Sequence, residues 1–252
     1  WSTVSIGRGE DKEIEIFQEI LYPDSLGLLY SAFTSLCGFK VNSGEYKLMG
    51  LAPYGTPKYK NLIFDKLLDL KDDGSFRLNM DYFGYLNSTS LINERLENLF
   101  GGPRRKPEER ITKREIDIAA SIQSVTEDIV IRLSKHERRE TGEKNLCLAG
   151  GVALNCVANG KVFQEQIFDR IWVQPASGDA GGALGAAQHI AHTFYDAERP
   201  PLEDNLDRQG GSFLGPNYSD REIMAFIQTY GLNARKIASV RAKTVADLLA
   251  QQ

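Results

Sequence analysis

Two glycine-rich turns, each set where a short apolar run hands over to helix-compatible residues, constrain this chain more than any other feature. The first run is Leu146, Cys147, Leu148 and Ala149, followed by Gly150, Gly151, Val152, Ala153, Leu154 and Asn155. The second is Ile171, Trp172 and Val173, which leads through Ser177, Gly178, Asp179 and Ala180 to Gly181 and Gly182. Such runs predict strands buried on both faces, and two successive strand-turn-helix units predict neighbouring parallel strands with their turns on one sheet edge. That edge of an open α/β sheet is where ligands bind, and helix N-termini there favour anions such as phosphate. The glycines have a second reading, in which they only let strand and helix pack closely. Asp179 likewise reads either as a helix cap or as a ligand to metal or nucleotide. Asn155 and Asn159, four residues apart, share a face of the following helix.

Bulk properties narrow the class further. The 252 residues are 42% hydrophobic and 25% charged, enough for one large domain or for one domain and part of another. A formal net charge of -4 argues against nonspecific nucleic-acid binding. Arg104, Arg105, Lys106, Arg110, Lys113 and Arg114 form a basic run that Glu108, Glu109 and Glu115 interrupt, which predicts a solvated loop. Cys37 and Cys147 sit in apolar runs and are expected to be small buried hydrophobes; with Cys156 they lack the spacing of a zinc or redox pair, so a reducing cytoplasm is expected. No stretch approaches the roughly 20 apolar residues of a membrane span, and no charged-then-apolar leader is expected. His136 is expected at an exposed helix end. His189 and His192 could share a metal but fall nearly three turns beyond the glycine edge. No GxGxxG, phosphate-loop lysine motif or nucleophile elbow occurs.

Along the chain, periodicity predicts strands at 2–6 and 13–20 around a turn at 7–11, and a helix from Leu26 to Cys37 that Asp24 or Ser25 caps and Gly38 ends. Residues 42–55 are too punctuated for a long helix. Helices are predicted at 61–70 and 90–100, a turn at 72–75 and an alternating strand at 76–82. The spacing of Ile116, Ala119, Ile122, Val125, Ile129 and Leu133 predicts an amphipathic helix of about five turns. A further helix follows Asp179 to about Tyr195. A polar connection at 198–219 is the expected linker after a domain at 1–197, and helices at 220–230 and 244–251 are too little for a core of their own.

Taken together, Gly44-Glu45-Tyr46-Lys47-Leu48-Met49-Gly50-Leu51-Ala52-Pro53-Tyr54-Gly55, Asp117-Ile-Ala-Ala-Ser-Ile-Gln123, the Leu148 to Cys156 turn and the Gln174 to Ala187 turn resemble the nodulation-type O-carbamoyltransferases. The resemblance spans about residues 1 to 220. It implies an α/β fold, the second half of an actin and sugar kinase-like (ribonuclease H-like) domain with a mixed sheet flanked by helices, followed at 220–252 by the start of a carbamoyl-adenylate-forming domain. The implied chemistry makes carbamoyl-adenylate from carbamoyl phosphate and ATP and moves the carbamoyl group to a hydroxyl of a glycan or antibiotic-like acceptor, without nucleic acid or membrane. It also implies that Gly44, Glu45, Lys47, Gly150, Gly151, Asn155, Gly178, Gly181 and Gly182 line the nucleotide pocket. Asp179 and Lys47 would be catalytic, and Asp179 would bind a divalent metal, Fe(II) by resemblance. The family's histidine ligands, in an HxxxH-type segment, do not occur here, so the sequence is expected to be a fragment that is inactive alone and binds nucleotide weakly. An ATP-dependent sugar or acid kinase of the same fold and a non-catalytic nucleotide-binding module are the alternatives.

Overall fold

A computed structural model describes residues 1–199, 209–212, 214–236 and positions 243, 245, 246, 249 and 250. The chain divides into two compact units, Trp1–Arg199 and Pro200–Gln252. In the first, β1 (Ser2–Glu10) and β2 (Glu13–Leu21) form an antiparallel hairpin. The expected turn at 7–11 moves to its end, because Asp11 takes the positive φ of 51° that a tight reversal needs while Gly7 and Gly9 stay paired in β1. Val4 and its partner Ile20 reach the core, whereas Ile14 and Ile16, nearer the tip, are exposed.

Helix α1 (Leu26–Leu36) starts where Ser25 Oγ accepts from Leu28 N at 3.1 Å. Asp24 does not cap it; its carboxylate accepts from Leu78 N at 2.7 Å. Short α2 (Glu45–Leu51) runs into a 3₁₀ turn at Ala52–Tyr54, in keeping with the punctuation around Pro53. Helix α3 (Lys60–Lys66) stops before residue 70, because Leu68 and Leu70 are used in β3 (Leu68–Leu70), paired antiparallel with β4 (Phe76–Leu78). The strand expected to reach residue 82 also stops early: Asn79 Oδ1 accepts from Asp81 N and turns Met80–Tyr82 into a 3₁₀ helix. Helix α4 (Glu94–Leu99) begins after residue 90 because Ile92 bridges Phe83 and Asn93 caps the helix.

Helix α5 (Lys113–Thr141) has 29 residues and is about 43 Å long at the usual rise. It outruns the apolar stripe that predicted it and ends at Gly142 in the left-handed conformation. Beyond it lie β5 (Asn145–Leu148), α6 (Cys156–Gln164), β6 (Arg170–Val173) and α7 (Gly181–His189), the last continued by a π turn at Ile190–Phe194. In the second unit α8 (Asp220–Thr229) carries a Ser219 capping box. The helix expected at 244–251 and the linker expected at 198–219 fall partly outside the described residues.

The architecture is α/β, but among the described residues the strands make three separate two-stranded sheets rather than one mixed sheet. Each strand pairs with its neighbour in chain order, and helices rather than ladders join the pairs. The main core gathers α1, α3, α4 and the first half of α5, with Leu29, Phe33, Leu96, Ile118, Ile122 and Ile129 inside. A second cluster of Leu146, Val162 and Phe168 packs on Val130 and Ile131, so α5 contributes to both.

Two expectations about charged segments change. The basic run is a solvated loop only in part: Arg104, Lys106, Arg110 and Lys113 are exposed, but Arg105 is buried and donates to Cys37 O and Gly38 O behind α1, while Arg114 donates to Phe100 O and Pro103 O. Cys37 and Phe100 are the C-caps of α1 and α4, so these cations satisfy carbonyls that helix ends leave open. His136 is half-buried rather than at an exposed end, with Nε2 2.7 Å from Gln18 Oε1 of β2.

Glu115 and Asp117, both buried near the start of α5, give the fold an acid limit. Burial pushes the Glu115 carboxyl up, but bonds from Thr112 Oγ1 and N, with Arg114 beside it, outweigh this and hold it below its usual value. Asp117 is likewise pushed up by burial but held below its usual value by Lys113 and by Thr56 N at 2.9 Å. A depressed folded value means the stabilisation is complete above the unfolded carboxylate range of about 4 and is lost as pH falls through the lower folded values. The urea midpoint is therefore expected to be flat from pH 7 to 5 and to fall steeply between pH 4 and 2; an unchanged midpoint at pH 3 would contradict it.

Candidate functional site

β5 and β6 are parallel, with Asn145 opposite Arg170 and Leu148 opposite Val173, so both glycine turns leave the same edge. The turns touch: Gly150 N donates to Ser177 O at 2.7 Å. Gly150 has φ 95° and ψ 163°, a conformation closed to residues with a Cβ, and this directs the chain into the 3₁₀ turn Gly151–Leu154. The space a side chain would occupy at Gly150, Gly151, Gly178 and Gly182 is open to 4 Å. Gly181 differs, since a Cβ there would lie 2.0 Å from Ala176 O, so its bareness serves the closure of the turn.

The strands are not buried on both faces as expected. Cys147 is exposed, contrary to the small-hydrophobe reading, and Trp172 is 45% exposed. Alternate residues face outward because only one face of this pair meets Val162 and Phe168. Cys37 does behave as expected: burial, then Glu115, push its thiol up to about 12, so it stays protonated.

Asn155 is 8% exposed and caps α6, with Oδ1 accepting from Ala158 N at 3.0 Å. Asn159 does a different job, donating to Ala153 O at 2.8 Å to close the turn. Asp179 is exposed, and its side chain neither caps α7 nor makes a hydrogen bond or ion pair among the described residues. The cap reading therefore drops away. Ser177 Oγ, beside it, is buried without a hydrogen-bond partner among the described residues.

The Gly44 to Lys47 segment divides its labour. Glu45 Oε1 accepts from Ser31 Oγ at 2.8 Å and from Asn42 N at 3.0 Å, while Oε2 accepts from Gly44 N at 3.1 Å. Lys47 is exposed, its Nζ 6.0 Å from the Tyr46 ring centroid. One turn of α1 links this segment to the first glycine turn. Ser31 holds Glu45, and adjacent Tyr30 donates to Gln123 Oε1 at 3.0 Å, which in turn binds Asn155. Gln123 stands outside the expected site set, although a carboxamide on the apolar stripe of α5 is a readable signal of a buried polar contact.

A metal centre is not assembled by these side chains alone. Among the described residues no three of His, Cys, Asp and Glu stand close enough to hold an ion, so Asp179 offers a single carboxylate ligand. His189 is exposed and His192 Nδ1 lies 2.8 Å from Ala197 O. No helix among the described residues is long and apolar enough to cross a membrane.

Residues 1–188 match the model of the family described as carbamoyltransferase N-terminus. An uncharacterized protein of Synechocystis is 55% identical over 228 residues, 90% of this chain and 37% of that protein. Nodulation protein NolNO of Sinorhizobium fredii is 35% identical across 97% of this chain and 34% of its own length, and nodulation protein NolO of Bradyrhizobium diazoefficiens is 40% identical across 79% and 34%. The chain thus spans little more than a third of the length of these relatives. The glycine turns, α5 and the Glu45 segment all lie within the matched residues, and the chain belongs to the carbamoyltransferase N-terminus family.

Proposed function

We propose that this chain is part of an O-carbamoyltransferase in which the paired glycine turns hold nucleotide while a carbamoyl group passes to an acceptor hydroxyl. The observation that carries it is the contact of the two turns on one parallel edge, within a chain of this family. Open space over Gly150, Gly151, Gly178 and Gly182 supports close approach of phosphate oxygens to backbone N–H groups, and the start of α7 adds a favourable dipole. The overall reaction takes carbamoyl phosphate and ATP to carbamoyl-adenylate and then to the carbamate of a glycan or antibiotic-like hydroxyl, in the cytoplasm. The matching fold reading is the second half of an actin and sugar kinase-like domain.

Lys47, exposed and free of ion pairs among the described residues, would counter phosphate charge. Glu45 acts by bracing its loop, since its carboxylate already accepts three bonds. Asp179 presents an uncommitted carboxylate to the reacting groups; as a contributor to a divalent metal such as Fe(II) it would supply one ligand of a set that the described side chains leave incomplete. The test is product identification with the natural full-length protein. Carbamoylated acceptor formed only when carbamoyl phosphate and ATP are both supplied is the expected result. A phosphorylated acceptor formed from ATP alone would overturn it in favour of a kinase.

A further inference from the structure

Resting on that reading of the site, we infer that Gln123 is a positioning residue that fixes the Asn155 carboxamide so that its free group is an N–H donor, aimed at ligands that offer oxygen acceptors. The orientation of both amides is set from the two ends of a short network. At one end Ala158 N can only donate, so the Asn155 atom 3.0 Å from it is Oδ1. At the other, the Glu127 carboxylate can only accept, so the Gln123 atom 3.0 Å from it is Nε2. The two side chains then meet as a reciprocal pair, Gln123 Nε2 to Asn155 Oδ1 at 3.1 Å and Asn155 Nδ2 to Gln123 Oε1 at 3.0 Å.

Counting capacities completes the argument. Gln123 Nε2 spends both hydrogens, on Glu127 and Asn155, and Gln123 Oε1 accepts from both Asn155 and Tyr30. Burial, first of all, raises the Tyr30 phenol above its usual value, with Cys37, Glu127 and Glu45 adding to it, so its O–H stays protonated and donates. Asn155 Oδ1 is filled by Ala158 N and Gln123 Nε2. What is left, among the described residues, is the second hydrogen of Asn155 Nδ2. Gln123 and Asn155 are 4% and 8% exposed, so water does not readily substitute for these bonds. The first glycine turn therefore offers a donor and selects ligands that present acceptor oxygens, as nucleotide phosphate and ribose do.

The experiment is a double-mutant cycle in the natural full-length protein, with ATP as probe, its affinity measured by calorimetry and each variant's melting temperature recorded. Gln123→Met is expected to weaken ATP binding about tenfold, as loss of one well-aligned polar contact does, and Asn155→Ala by a similar factor. The double variant should be no weaker than Asn155→Ala alone, since Gln123 acts through Asn155. Tyr30→Phe, which leaves the amide pair intact, should lower the melting temperature while changing ATP affinity less than twofold. Additive losses in the double variant, or an ATP affinity unmoved by Gln123→Met when Asn155→Ala weakens it, overturn the inference. If Asn155→Ala itself leaves ATP binding intact, the reading of the site fails, and the inference with it.

Discussion

Asp179→Ala is expected to cut carbamoyl transfer by the natural full-length protein about a thousandfold while leaving its melting temperature unchanged. The split follows from what the side chain does in the fold. It is exposed, it does not cap α7, and it forms no hydrogen bond or ion pair among the described residues, so its removal strands no partner. It nevertheless stands at the start of α7, one residue from the open Gly178 and two from Ser177, whose buried hydroxyl lacks a partner among the described residues. A carboxylate so placed, acting on a proton or as a metal ligand, is worth about that factor in rate. Turnover with saturating ATP and carbamoyl phosphate, together with the metal content of the purified variant, measures it. Wild-type turnover would remove Asp179 from the chemistry, and Asp179→Asn, which keeps the shape but not the charge, should fail like alanine.

Phe33→Ala has the opposite signature, a large loss of stability with no group at the glycine edge touched. Phe33 is fully buried on α1, its ring 5.3 Å from that of Phe100 at 78°, and Phe100 in turn meets Tyr59 at 5.4 Å. Deleting it removes an apolar transfer contribution and an edge-to-face contact and leaves a hole in the main core, about 3–5 kcal/mol in total. Against a typical net stability of about 5–15 kcal/mol this leaves a marginal protein. Chemical denaturation of Phe33→Ala beside Phe163→Ala, whose ring is 67% exposed, is the measurement. A difference between the two below about 1 kcal/mol would mean that the core relaxes around the hole.

What the sequence made legible was governed by local rules. The glycine turns, the Ser25 cap, the breaks around Pro53 and the apolar stripe of α5 are written in single residues or short periods, and the corresponding elements formed. The misreadings came where a distant partner decides. Leu68 and Leu70 have helical company in sequence but form a strand because Phe76 and Leu78 fold back on them. Arg105 looks like a surface cation until the carbonyls behind α1 are brought to it. Cys147 has an apolar neighbourhood in the chain but not in space. At the candidate site, the two turns that carry Gly150, Gly178 and Asp179 were readable. The brace on Glu45 and the Tyr30, Gln123 and Asn155 chain were not, because each crosses between elements 14 to 93 residues apart.

One uninterrupted rod shared by two cores has a mechanical consequence. With Glu115 and Asp117 anchoring one end and Val130 and Ile131 gripping the β5 and β6 layer toward the other, α5 is a lever rather than a spacer. Over a length of about 43 Å, a tilt of one degree about its N-terminus displaces its far end by about 0.75 Å. Gln123, about 15 Å along that arm, travels about a third as far. A displacement of that order is a sizeable part of the slack in a hydrogen bond, so a one-degree tilt of α5 would shift the Gln123 amide against Asn155.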